Sequence, residues 1–184
     1  EGFDPSNASN WGLAGRYFTA VPIGRKPCVE YGSDLIILTI EGAIPFSQIR
    51  QAGDTKGGSA TAITEKLGRL LLQYNQYAST TGWQALTYPK QGWLIINVPG
   101  SGANSGNYYQ FVMNTKTNMW GRFTNWNANC FAVFNSNLYY GTYDGRVILA
   151  DTLATDEGSE IRLECKQAYN YFDEMSRKHF QWAN

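Results

Sequence analysis

Apolar side chains in this sequence come in short runs, separated by clusters of Gly, Asn, Ser and Asp. The clearest stretch is Trp120 to Asp151, WGRFTNWNANCFAVFNSNLYYGTYDGRVILAD. Trp120 to Thr124 opens it, and Cys130 to Phe134 is a compact apolar run. Asn135-Ser136-Asn137 interrupts, Leu138 to Thr142 follows, Asp144-Gly145 turns the chain, and Arg146 to Ala150 closes the stretch. Asp-Gly between β-rich runs predicts a tight hairpin, because a primed turn needs positive φ that Asp and Gly tolerate. The pattern is that of an antiparallel meander.

The same pattern recurs earlier. Tyr31-Gly-Ser-Asp-Leu-Ile-Ile-Leu-Thr-Ile-Glu-Gly-Ala-Ile matches Phe134-Asn-Ser-Asn-Leu-Tyr-Tyr-Gly-Thr-Tyr-Asp-Gly-Arg-Val without a gap, at an offset of 138 − 35 = 103 residues. Each copy has an aromatic, a small polar turn, an apolar strand, and an acidic-Gly turn into a further strand. A third unit lies between them: Trp93 to Val98, a Gly/Ser/Asn loop over 100–106, Tyr108 to Met113, and the turn Asn114 to Asn118 into Trp120. Blades of a β-propeller are four-stranded and roughly 40–50 residues long, so the offset spans about two of them. The expected fold is all-β, with antiparallel propeller-like blades.

Other stretches complete the series. Residues 1–14 read as a loop, Arg16 to Ile23 as β-like, and Cys28 to Tyr31, Asp34 to Ile40 and Ala43 to Phe46 as a first sheet. Gln51 to Ser59, with Gly53, Gly57 and Gly58, reads as a flexible connection. The period then changes from two to 3.6. Ile63, Leu67, Leu70, Tyr74 and Tyr77 share one helical face, while Glu65, Lys66, Arg69, Gln73 and Gln76 face away. One amphipathic helix is therefore expected over about 61–79, capped by Ser59 or Thr61, ended by Gly82, and packed on its own sheet. Trp83 to Tyr88 resumes the strands. Leu153 to Ser159 reads as an acidic loop, Ile161 to Phe172 as a new strand, and Lys178 to Trp182 as its partner.

Composition narrows the function classes. The 184 residues suit one domain over 1–184, with 43% hydrophobic and 15% aromatic residues, including 6 Trp and 12 Tyr. Lys and Arg number 15 against 15 Asp and Glu, which disfavours a dedicated nucleic-acid binder. The 3 cysteines, Cys28, Cys130 and Cys165, show no Cys-x-x-Cys spacing and read as buried free thiols from a reducing compartment. No signal peptide or membrane-length apolar run is visible. The sequence opens on Glu1 and stops at Asn184 just past a strand-like stretch, so it is expected to be a piece of a longer protein.

Catalytic constellations do not assemble in the sequence, and no catalytic, cofactor-binding or metal-binding residues are assigned. His179 is the one histidine and has no companion ligand nearby. Walker, Gly-x-Ser-x-Gly, zincin and Rossmann patterns are missing. The Gly100 to Gly106 run lies between strands, so no helix N-terminus can help it hold an anion. Glu30, Asp34, Glu41, Asp144 and Asp151 sit near strand ends; Asp34 and Asp144 are better explained as turn residues than as a glycosidase pair. Thr115 to Trp120 only faintly resembles a sialidase Asp-box, since it lacks the Asp and the Gly. The Trp and Tyr residues could stack on sugars, but at strand positions such aromatics are more often core or cross-strand pairs.

Several blocks together resemble one family. They are Tyr31 to Ser47, Gly82-Trp-Gln-Ala-Leu-Thr-Tyr-Pro89, Trp93-Leu-Ile-Ile-Asn-Val-Pro99, Gln110 to Trp120, Asn127 to Asn135 and Leu138-Tyr-Tyr-Gly-Thr-Tyr-Asp-Gly145. Their order is similar to that of packaged-DNA stabilisation, tail hub or nozzle proteins of short-tailed double-stranded DNA phages. The resemblance implies a β-propeller-containing structural subunit, not an enzyme, in a hexameric ring below the portal that closes and conducts the DNA channel. It implies partners among other tail or portal-proximal proteins and copies of the chain itself, weak contact with packaged DNA, and no membrane. The implied location is the virion tail, after assembly in the bacterial host cytoplasm. No cofactor is expected. The alternative is a carbohydrate-binding or glycan-hydrolysing propeller acting as a receptor-binding module; a host Kelch-like scaffold is a third reading.

Overall fold

A computed structural model describes residues 9, 17–52, 62–67, 81–99, 108–152, 155–156 and 159–160. The described residues are predominantly β-strand, and every strand pair among them is antiparallel. The chain divides into two compact units, Glu1–Asp151 and Thr152–Asn184. In the second unit, a short hairpin pairs Thr155–Asp156 with Ser159–Glu160, where the sequence reads as an acidic loop. Main-chain pairing there needs no apolar run, so no apolar pattern announced it.

Among the described residues of the first unit there are three sheets, each a meander of consecutive strands. Strands β1 (Cys28–Tyr31), β2 (Asp34–Thr39) and β3 (Gly42–Pro45) make the first. Strands β4 (Gln84–Tyr88), β5 (Trp93–Val98), β6 (Tyr109–Asn114) and β7 (Trp120–Thr124) make the second. Strands β8 (Ala128–Phe134), β9 (Asn137–Thr142) and β10 (Val147–Leu149) make the third. The internal repeat is realised: β2 and β9 occupy equivalent residues, 137 − 34 = 103 and 142 − 39 = 103. Both follow a two-residue turn, with Tyr31 opposite Asp34 and Phe134 opposite Asn137.

Turn chemistry sits differently from expectation. The primed two-residue turn falls at Asn135-Ser136, where both residues have positive φ, 49° and 59°. At Asp144-Gly145 only Gly145 has positive φ, and Thr142 N–H reaches Arg146 O across a wider loop. A primed pair needs two consecutive left-handed residues, and Asp144 is not one.

Strands β4 to β6 of the second sheet carry buried residues on both faces. Alternation sends Ala85, Leu94, Ile96, Val98, Phe111 and Met113 into one cluster with Ile36, Leu38 and Ala43 of the first sheet. The intervening Tyr88, Ile95 and Val112 enter another cluster with Phe131, Leu138 and Tyr140 of the third. Burial on both faces explains why β5 reads as a near-continuous apolar run, WLIINV, rather than an alternating one. Each fully buried large side chain, such as Leu94 or Phe111, contributes about 1.5–3 kcal/mol over the exposed state.

Contacts between successive sheets run through their early strands: β1 meets β4, and β8 meets β4 and β5. Lys26 forms an isolated parallel bridge to Gln84 at the first of these junctions. Gly24 lies against Trp83 there, with φ +82° and no room for a Cβ, which would stand 2.4 Å from Trp83 O.

Three expectations change. Residues 17–23 form no strand; a single bridge joins Pro22 to Thr39, held by Ile23 N–H to Leu38 O and Ile40 N–H to Val21 O, both at 3.0 Å. Ser47 to Ala52 belong to a helix, α1 (Phe46–Ala52), which packs against β2 and β3 with Ile49 buried, so Gln51 and Ala52 are not part of a flexible connection. Cys28 and Cys130 are free but exposed, because both occupy outward positions of their strands. The helix expected over 61–79 is described only at 62–67, where Glu65–Leu67 is a 3-10 turn, and the rest lies outside the described residues. Ile63 and Leu67 do pack on the first cluster, beside Tyr109 and Trp120. Cys165, His179, the 100–106 loop and the strands expected after 161 also lie outside the described residues.

Candidate functional site

The carboxylates singled out in the sequence serve local structure. Asp34 Oδ1 accepts from Leu35 N and Ser47 N at 2.8 and 3.1 Å, and Oδ2 accepts from Ser47 Oγ at 2.5 Å. It thereby ties the start of β2 to the first turn of α1. The Ser47 hydroxyl, aided by the two backbone N–H groups, holds the Asp34 carboxyl below its usual range. Asp144 accepts from Arg146 Nε at 2.8 Å on the surface. Asp151, at φ +57°, accepts from Tyr88 Oη at 3.2 Å and Gln91 Nε2 at 2.8 Å, and so pins the β4–β5 turn to the end of β10. Burial first, and the Asp151 carboxylate second, push the Tyr88 phenol up. Glu30 and Glu41 are exposed. Among the described residues no group of three His, Cys, Asp or Glu is placed to hold a metal ion.

A row of buried amides crosses the second sheet. The register sets Gln84 opposite Asn97 and Asn97 opposite Gln110, so three side chains on adjacent strands share one face. Gln84 exchanges two hydrogen bonds with the Phe131 backbone: Nε2 donates to its O at 2.9 Å, and Oε1 accepts from its N at 2.8 Å. Asn97 Nδ2 donates to Gly82 O and Ala128 O, and Gln110 Nε2 donates to Asn97 Oδ1 and Trp126 O. Apart from Gln110 Oε1, which is buried without a hydrogen-bond partner, the polar atoms of this row are paired, and the pairing fastens the start of the third sheet onto the second.

Most of the described aromatic residues pack in or against the two clusters, while Tyr17, Phe18 and Phe134 are exposed. Trp126 stacks on Tyr140 at 5.5 Å and meets Phe123 edge-on, and Trp93 meets both Tyr88 and Phe123. Trp83 is buried, and Trp120 packs on the first cluster. At one end of the strands Tyr108 stacks on Tyr143, whose hydroxyl donates to Thr81 O; burial pushes the Tyr143 phenol up. Trp93, Trp120 and Trp126 are partly buried. A comparison with family models, curated proteins and solved structures gives no match.

Two surface features remain. One is a shallow depression lined by Tyr17, Ser47, Arg50 and Gln51, open to solvent beside the Asp34–Ser47 contact. The other is the outward face of the third sheet, where Phe134 and Val147 are 72% and 78% exposed. Neither was visible as a site in the sequence. The depression depends on α1, which had no periodic signal, and the outward face reads in one dimension as an ordinary apolar strand pattern.

No helix among the described residues is long and apolar enough to cross a membrane.

Proposed function

We propose that the chain is a structural component of a short-tailed phage tail, a propeller sector that helps to close and conduct the DNA channel as one of several copies in a ring. Support comes from one arrangement above all: three antiparallel meanders follow one another in chain order and meet at their early strands. In a propeller, first strands converge on the axis and the sheets fan outward, face against face. The blocks that resemble the tail family coincide with these strands: Tyr31 to Ser47 with the turn after β1 through the start of α1, Gly82 to Pro99 with β4 and β5, Gln110 to Trp120 with β6, and Asn127 to Gly145 with β8 and β9.

The chemistry fits a scaffold. The buried amide row and the two apolar clusters resist distortion, while Asp34, Asp144 and Asp151 are engaged in local structure. A channel wall should not grip DNA, since each phosphate contact adds affinity that ejection must break. The balance of 15 basic against 15 acidic residues suits such a wall.

The test is immunogold electron microscopy of particles that carry the coding sequence, with antiserum raised against this chain. Label at the tail vertex is the expected result. Particles free of label, or specific glycan hydrolysis by the purified chain, would remove the proposal in favour of a receptor-binding module.

A further inference from the structure

The amide row that joins the second sheet to the third ends on an acceptor without a donor. Gln110 is fully buried. Its Nε2 donates to Asn97 Oδ1 at 2.9 Å and to Trp126 O at 3.1 Å, but its Oε1, equally buried, meets no donor among the described residues. Turning the amide over does not help. It would set Oε1 against two oxygens, and Asn97 cannot turn in compensation, because its Nδ2 donates to Gly82 O at 2.8 Å and Ala128 O at 2.9 Å. Those two partners are main-chain carbonyls, which accept and never donate. The direction of the row is therefore fixed by the backbone, and Gln110 Oε1 is fixed as an acceptor.

A second acceptor at this junction has the same need. Asn129 follows Ala128 where the register of β8 shifts, and its Oδ1 is buried without a donor among the described residues. It stands 3.3 Å from the position a Cβ would take on Gly82, the residue whose carbonyl holds Asn97. The place where the second sheet receives the start of β8 is short of donors.

Whatever sits at Gln110 Oε1 must be small and must bring donors. A metal cation fits poorly. The nearby oxygens Gly82 O, Ala128 O and Trp126 O already accept from amide N–H groups, whose hydrogens carry partial positive charge. Water fits in both chemistry and reach. Because the oxygen and nitrogen of one amide are roughly 2.3 Å apart, Gln110 Oε1 stands at most about 5.2 Å from Asn97 Oδ1. One water reaching about 2.8 Å to each oxygen spans that gap. Asn97 Oδ1 accepts from Gln110 Nε2 and has a second lone pair to offer.

We propose that an ordered water molecule is a structural part of this junction, donating one hydrogen to Gln110 Oε1 and the other to Asn97 Oδ1. It completes the row, so that every polar side-chain atom of Gln84, Asn97 and Gln110 is paired. The third sheet is then held on the second by polar groups that have a single consistent arrangement. The inference rests on the amide row alone and is independent of the tail role.

The experiment is a crystal structure of the full chain at a resolution that shows individual waters, for the wild type and for Gln110→Met, with water-selective NOE and ROE spectra of the wild type in solution. The expected wild-type map has a peak within hydrogen-bond distance, about 2.6–3.0 Å, of both Gln110 Oε1 and Asn97 Oδ1. The Gln110 side-chain NH2 should show a water cross-peak whose NOE and ROE have the opposite signs of a long-lived contact. In Gln110→Met, which keeps the side-chain length and removes the acceptor, the peak is lost. Should that variant fail to fold, the wild-type map and spectra decide. A wild-type site without a peak, or a Gln110 amide turned to meet a protein donor, overturns the proposal. A peak that persists in Gln110→Met overturns it too, since Gln110 would not be what holds the water. So does a peak ringed by oxygens and replaceable by rubidium, which would make the occupant a cation.

Discussion

The side chain of Gln84 pairs with the backbone of Phe131 as an extra strand residue would, accepting from its N–H at 2.8 Å and donating to its carbonyl at 2.9 Å. This one amide joins the second sheet to the third where no main-chain ladder runs between them. Its neighbours Asn97 and Gln110 extend the same fastening to Ala128 and Trp126.

Gln84→Leu should therefore destabilise the fold by about 2–4 kcal/mol, since two buried backbone groups lose their partners. Gln84→Glu should be pH-dependent. Its carboxylate would still accept from Phe131 N–H but would face the Phe131 carbonyl without a donor. The folded-state pKa of the new Glu is then raised above the ordinary value of about 4.3. The variant is expected to approach wild-type stability below that ordinary value and to lose stability as pH rises through the folded pKa. Denaturant midpoints from pH 3.5 to 8 check this, and a flat difference from wild type would contradict it.

Gly24→Ala and Gly32→Ala should separate backbone strain from packing. Both glycines have positive φ, +82° and +62°. A Cβ on Gly32 meets nothing within 4 Å, so that variant should cost about 1 kcal/mol, the strain alone. At Gly24 the Cβ collides with the Trp83 backbone as well, and a loss of roughly 3 kcal/mol or more is expected. Equal melting-temperature losses in the two variants would show that the Gly24–Trp83 contact does not hold the sheets together.

Ser47→Ala should raise the Asp34 pKa, because the Ser47 hydroxyl is the main group holding it down. A depressed folded-state pKa contributes stability that is present above the unfolded value of about 3.9 and lost as pH falls through the folded one. The variant should be less stable than wild type at neutral pH, by at most about 1 kcal/mol given partial exposure, and should match it in strong acid. Carboxyl-carbon NMR titration with urea unfolding at pH 7 and pH 2.5 measures both effects.

Duplex DNA should bind weakly. Anisotropy titration at physiological salt is expected to give a dissociation constant in the range of non-specific contact, roughly 1–100 μM, that weakens steeply as salt rises. Submicromolar affinity that persists at raised salt would refute the passive channel wall and make the chain a DNA-binding protein.

Strand identity was legible because it is local. The Asn135-Ser136-Asn137 interruption, the β-branched and aromatic runs, and the 103-residue repeat place β2 and β9 to within one residue at an end, without any long-range contact. The same local signals predict aromatics in the core or in cross-strand pairs; Trp83 lies in the core and Trp93, Trp120 and Trp126 pack against it, whereas Phe134 is exposed. Helix α1 was missed because its seven residues bury only Ile49, too few apolar positions for a 3.6 period to register. The cysteines were misread because free thiols are usually buried, whereas strand phase set Cys28 and Cys130 outward. Which face of each sheet is covered could be decided only in three dimensions. Ile36 and Tyr139 hold equivalent places in the repeat, yet one is fully buried and the other partly exposed. Alternation along a strand separates two faces but carries no information about what lies against either. That is decided by the neighbouring sheet, and for the amides Gln84, Asn97 and Gln110 by the backbone groups it brings within reach.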